Sequence, residues 1–129
     1  MSSSLLEVPE DASEGGFDIR TTDSSAGRAN LRARGILDSS SAPVLAEVIA
    51  GHVRAGRRFL RLDVADLLIA DPDALEIVRQ AHHLVLRARG TLILTRVPEG
   101  LKATFARAGL DTELFILPPS AYEATRPDD

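Results

Sequence analysis

Apolar and polar residues alternate twice near the start of the chain. Phe17 and Ile19 sit between polar neighbours, and Leu31 sits between Asn30 and Arg32. This period of two predicts strands over Phe17–Thr22 and Ala29–Ala33. Asp23–Gly27 between them is turn chemistry, so the two runs read as an antiparallel hairpin whose register the loop leaves open. Gly35-Ile36-Leu37-Asp38 closes the second strand, and the serine-rich turn Ser39–Ser41 follows. The period then changes. Pro43 suits the first turn of a helix, Val44, Leu45, Val48, Ile49 and Val53 form one apolar stripe, and Gly56 ends it. Phe59–Val64 predicts the next strand, with Leu67–Ile69 as a further apolar run.

Asp71-Pro72-Asp73 is helix-start chemistry: Asp71 caps free backbone N–H groups, Pro72 fits the first helical position, and Asp73 opposes the positive end of the dipole. Ala74, Ile77, Val78, Ala81, Leu84, Val85 and Ala88 line one face of that second helix, which Gly90 stops. Thr91–Thr95 predicts an apolar-cored strand. Pro98 opens a third helix with Leu101, Phe105 and Ala108 on one face, and Leu114–Leu117 reads as a last short strand. The order is β-β-α-β-α-β-α-β. Helix–strand alternation through most of it implies an α/β protein with a mixed sheet covered by helices.

At 129 residues the chain has the size of one domain. Its 44% apolar and 26% charged residues place it among ordinary soluble globular proteins. Cysteine is absent, which excludes disulfides and thiolate chemistry. His52, His82 and His83 have no zinc-site spacing. The net charge of −4 is concentrated at the ends. Residues 1–16 carry four acids and no base and read as a flexible acidic arm, while 118–129 read as a mostly irregular acidic tail. The domain between, 17–117, is then close to neutral. It has neither the basic stripe nor the stacking platform that nucleic-acid binding would need. No basic n-region precedes an apolar run, and no stretch is long and apolar enough to span a membrane, so the expected address is cytoplasmic.

Three constellations could carry chemistry. Asp63, Asp66, Asp71 and Asp73 resemble a magnesium or phosphoryl-transfer cluster, yet Asp23 is a lone acid after the first strand and the only lysine, Lys102, lies within the third helix. The simpler reading makes Asp71 and Asp73 a cap and a dipole partner, and Asp63 and Asp66 strand-end turn residues. Ser39–Ser41 with His52 or His82 lack a nucleophile elbow. His82 reads as a boundary residue and His83 as solvent-facing. The glycines stand singly near element ends, so there is no phosphate loop. Neither an enzyme nor a metal or cofactor site is expected.

Three ordered motifs resemble the STAS domain of bacterial anti-sigma factor antagonists. They are Gly35-Ile36-Leu37-Asp38 before a turn and helix, the acidic strand-to-helix turn at Asp71, and Ala108-Gly109-Leu110-Asp111 before Leu114-Phe115-Ile116. The resemblance spans Phe17 to Leu117. It implies a mixed sheet of four to five strands covered by three or four helices, mostly on one face. It also implies a partner surface made by Asp38, Ser39 and Ser40 from one turn and Asp71, Pro72, Asp73 and Ala74 from the other. The implied partner is an anti-sigma factor that is also a histidine-kinase-like serine kinase, with homodimerisation left open.

In that family the central turn reads D-[ST]-[ST]-G-L, and the first hydroxyl residue is phosphorylated. Here Pro72 occupies the phosphoacceptor position and Asp73 the next, with Ala74 in place of glycine. Proline has no hydroxyl, so this site cannot accept a phosphoryl group. Either Asp73 leaves a fixed charge that imitates the phosphorylated form, or the protein binds its partner without phosphoregulation. A carboxylate is a poor copy of a group carrying about −1.5 to −2 charges, which favours the second. A ligand-binding or scaffold module, with a nucleotide or anion at the second helix N-terminus, is the alternative.

Overall fold

The computed structural model describes residues 12–14 and 16–117. Its elements are β1 (Ala12–Glu14), β2 (Phe17–Ser25), β3 (Arg28–Leu37), α1 (Ala42–Arg54), β4 (Phe59–Ile69), α2 (Pro72–Arg87), β5 (Thr91–Thr95), α3 (Glu99–Arg107) and β6 (Phe115–Ile116). All five expected strands and three helices are present in the expected order. One further strand precedes them. β1 lies in residues assigned to the acidic arm and pairs antiparallel with β2, so the ordered domain starts earlier than Phe17. Residues 1–11 and 15 of the arm and the tail 118–129 lie outside the described residues.

The six strands lie side by side in sequence order. β1, β2 and β3 are antiparallel neighbours, and β3 to β6 run parallel. Parallel connections are right-handed crossovers, and here every one steps in the same direction across the sheet. That stacks α1, α2 and α3 on one face, and no helix among the described residues lies on the other. The burial pattern agrees. Ala29, Leu31, Ala33 and Leu37 of β3, Leu60, Leu62 and Val64 of β4 and Leu92 and Leu94 of β5 are buried. Asn30, Arg34, Ile36, Arg61, Asp66 and Leu68, pointing the other way, are exposed. Leu45, Val48 and Ile49 of α1, Val78, Ala81 and Val85 of α2 and Phe105 of α3 close the core.

The hairpin is longer than its pattern suggested. β2 and β3 run to Ser25 and from Arg28, leaving a two-residue turn at Ala26-Gly27, with Gly27 at φ 83°. Gly35 has φ 98°, and a Cβ there would lie 1.8 Å from the Gly16 carbonyl oxygen, so only glycine fits.

β4 does not stop at Val64. Arg32 pairs with Asp63 and Arg34 with Asp66, so β4 carries one extra residue at a bulge. The bulge shifts the phase of burial: Leu60, Leu62 and Val64 face the core, and Leu67 rejoins it while Leu68 turns outward at 67% exposure. Asp63 and Asp66 are therefore strand residues, which corrects their reading as strand-end turns. Asp63 secures the bulge by accepting from Ala65 N at 2.9 Å.

Three other expectations are corrected. Ala108 is the C-cap residue of α3 and is exposed, because the helix ends at Arg107. His82 is buried at 2% exposure, where it meets the Phe115 ring edge-on. His83 is half-buried and bonds to Glu113, so it does not face solvent freely.

Candidate functional site

Parallel neighbours β3 and β4 end at Leu37 and Ile69, which pair with one another, and each chain then turns into a helix. Ala70 N donates to Leu37 O at 2.8 Å, carrying the ladder one step past the strands. The turn Asp38–Ser41 and the turn Ala70–Pro72 therefore lie side by side at the carboxyl end of the two central strands.

Asp38 organises the first turn. Its Oδ1 accepts from Ser40 N at 2.9 Å and Ser41 N at 3.1 Å, and its carbonyl accepts from Ala42 N at 2.8 Å. The Ser41 N–H bond, together with that from Ser40, holds the Asp38 carboxyl below the usual carboxylate range against the opposing effect of desolvation. Ser41 is buried, and its hydroxyl accepts from Asp38 N at 3.0 Å and lies 3.2 Å from Ile36 O. Of the three serines, only Ser39 and Ser40 are exposed.

Asp71 joins the two turns. Its Oδ1 accepts from Ala74 N at 3.0 Å, which is the N-cap bond of α2, and its Oδ2 accepts from Ser39 N at 3.1 Å. One carboxylate thus fixes the start of α2 and the neighbouring loop together. Pro72 and Asp73 project into solvent from the first turn of α2, and Ala74 is fully buried beneath them.

All seven residues singled out in the sequence are gathered here: Asp38, Ser39 and Ser40 in one turn, and Asp71, Pro72, Asp73 and Ala74 in the other. Ala74 lies beneath the surface and acts through packing. Two residues at this edge were missed. Ile36 and Leu68 are paired across β3 and β4 on the face opposite the helices, at 47% and 67% exposure, just before the two turns. The signal was the unbroken run Leu67-Leu68-Ile69, since three consecutive apolar residues in a strand cannot all face one core.

The remaining candidates do not converge on a site. Asp63 pairs with Arg96 at 3.5 Å, and Asp66 stands opposite Arg34 in mid-sheet, away from Asp71 and Asp73 at the helix start. Among the described residues no group of three or more His, Asp or Glu side chains could hold a metal ion. His52 lies eleven residues along α1 from Ser41, about 16 Å at helical rise. It is buried, with Nε2 2.9 Å from Thr21 Oγ1 and Nδ1 3.1 Å from Arg57. That is a structural role.

Residues 21–118 match the family described as Mlab, STAS domain. The chain is a STAS-domain protein. Three solved structures share this STAS fold. An anti-sigma factor antagonist from Mycobacterium paratuberculosis aligns with TM-score 0.64 at 20% identity, over 84% of this chain and 94% of that one. SpoIIAA in its unphosphorylated form aligns with TM-score 0.61 at 13% identity, over 82% and 93%. The Bacillus cell fate determinant SpoIIAA in the phosphorylated form aligns with TM-score 0.60 at 14% identity, over 84% and 99%. At these identities the likeness is one of fold. No curated protein sequence matches the chain. No helix among the described residues is long and apolar enough to cross a membrane.

Proposed function

We propose that this STAS domain works by protein–protein binding, as an antagonist or modulator of an anti-sigma factor in transcription regulation, and without phosphorylation at the usual serine position. The observation that carries this reading is the Asp71 carboxylate bound to both Ser39 N and Ala74 N. It holds two acidic turns as one rigid surface, beside the exposed pair Ile36 and Leu68. Such a patch, apolar at one side and acidic at the other, suits a partner with a basic rim around an apolar centre. Phosphoregulation would need a hydroxyl where Pro72 stands, and Ser39 and Ser40 are the exposed hydroxyls nearest to it in the paired turn.

The ligand-binding alternative has less support at this place. Nucleotide sites in open α/β sheets lie where the strand order reverses and helices diverge to opposite faces. The parallel strands here follow one another without a reversal.

Calorimetric titration of the full chain with the histidine-kinase-like anti-sigma factors of its own genome tests the proposal. One of them binds stoichiometrically, and Asp73→Arg weakens that binding by about tenfold or more while the fold stays intact. Binding to none of them, or equal affinity for the variant, would remove the support for this surface.

A further inference from the structure

The sheet face opposite the helices carries a second feature, at the end away from the two turns. In the ladder, Arg28 of β3 pairs with Phe59 of β4, which pairs with Thr91 of β5. The next outward row is Asn30, Arg61 and Ile93, and the row after it is Arg32, Asp63 and Thr95. Rows are about 7 Å apart and strands about 4.8 Å, so Arg28 and Arg32 of β3 stand on either side of Arg61 of β4 in a zigzag along one patch. A cavity of about 470 Å³ opens over the first two rows and is walled on the β2 side by Asp23, Ser24 and Ser25. A second cavity, about 240 Å³, continues over the third row and shares Asn30 and Arg61 with the first.

The chemistry of this groove is unbalanced. Arg28, Arg32 and Arg61 make no side-chain hydrogen bond or ion pair among the described residues, although the Nε of Arg32 is buried. A buried donor without an acceptor is rare in a folded protein and calls for a partner. Of the two acids in the walls, Asp63 is already engaged by Ala65 N and by Arg96. Phe59 stands 59% exposed at the rim, and Ile93 lies half-buried beside it. Guanidinium groups bind oxyanions through paired N–H donors, and an exposed aromatic face stacks against a flat apolar group. The first cavity lies within the range that small molecules occupy.

We propose that this groove is a binding site for a small organic anion, a phosphate or carboxylate attached to a flat apolar body. Arg28 and Arg61 hold the charged end, and Arg32 Nε and the Asn30 amide supply further donors. Phe59 and Ile93 cover the apolar part. The site is independent of the partner surface, since it lies at the opposite end of β3 and β4.

Amide chemical-shift titration of the full chain with phenyl phosphate, inorganic phosphate and phenol tests this. Phenyl phosphate shifts the amides of Arg28, Asn30, Arg61 and Thr91 saturably, inorganic phosphate binds the same residues more weakly, and phenol leaves them unmoved. Arg28→Gln and Arg61→Gln each weaken phenyl phosphate by about tenfold and leave the melting temperature unchanged. The proposal is overturned by the absence of saturable shifts at about 10 mM ligand. It is equally overturned by undiminished binding in both variants, or by shifts centred on residues 38–41 and 71–74, which would put the anion at the helix starts.

Discussion

Each oxygen of the Asp71 carboxylate has its own backbone donor, Ala74 N on one side and Ser39 N on the other. Alanine at this position removes the cap of α2 and the tie between the turns in one step. A lost cap costs about 1 kcal/mol and a lost hydrogen bond about as much again, so Asp71→Ala should lower the unfolding free energy by about 2 kcal/mol. Asp71→Asn, which keeps one carbonyl acceptor, should recover part of it. Urea denaturation of the two variants measures both values.

Titration adds a second residue-scale prediction. Burial pushes the His82 imidazole below its ordinary value of 6.5, and the nearby positive charge that His83 can carry pushes the same way. A histidine buried neutral binds its proton more readily in the unfolded chain, so stability falls as pH drops below about 6.5. Glu113 responds further down. Desolvation pulls its carboxyl upward, but the hydrogen bonds from His83 and Arg79 outweigh that and hold it below its ordinary 4.5. A carboxyl depressed in this way contributes stability above 4.5 that is lost as pH falls through its folded value. Melting temperatures of the wild type should therefore decline on acidification in two stages. His82→Gln should flatten the first and keep the second. An unchanged first stage in that variant would mean that His82 is not the group responsible.

At the scale of elements, α2 has the sharpest division between faces. Val78 is 4% exposed against the sheet, while Glu76, on the helix's outer side, is exposed and pairs with Arg79 at 3.0 Å. Val78→Asp places an unpaired charge in the core and should destabilise the fold by about 4 kcal/mol, read as a large drop in melting temperature. An unchanged melting temperature would contradict the assigned face. The helices were legible because a stripe over three or four turns repeats one signal many times. β4 was only half legible. Its alternation holds from Leu60 to Val64, and the extra residue at the bulge then inverts the phase, which looks like a strand end when read along one chain. Only the pairing with Arg32 and Arg34 shows that the strand continues. The same inversion hid Leu68: the run Leu67–Ile69 shows that some apolar residue faces outward, and the bulge decides that it is Leu68.

Across the molecule, three same-direction crossovers put every helix among the described residues on one face of the sheet. The candidate partner surface was legible because capping chemistry is local, and Asp71-Pro72-Asp73 declares a helix start by itself. The bond from Ser39 N to Asp71 was not legible, since it joins residues 32 apart in sequence through the pairing of β3 with β4. Nor was the burial of His82, which depends on Phe115 arriving from the other end of the domain.

The surface of the two turns is proposed to bind its partner without a phosphoswitch at Pro72. The most direct test measures the affinity of the chain for the anti-sigma kinase proposed as its partner, before and after prolonged incubation of the pair with ATP and magnesium, with peptide mass analysis of the product. The affinity should be the same in both states, with no phosphate on residues 70–75. Loss of binding after incubation, together with a phosphorylated peptide covering Ser39–Ser41, would contradict it and show that the switch had moved to the neighbouring turn.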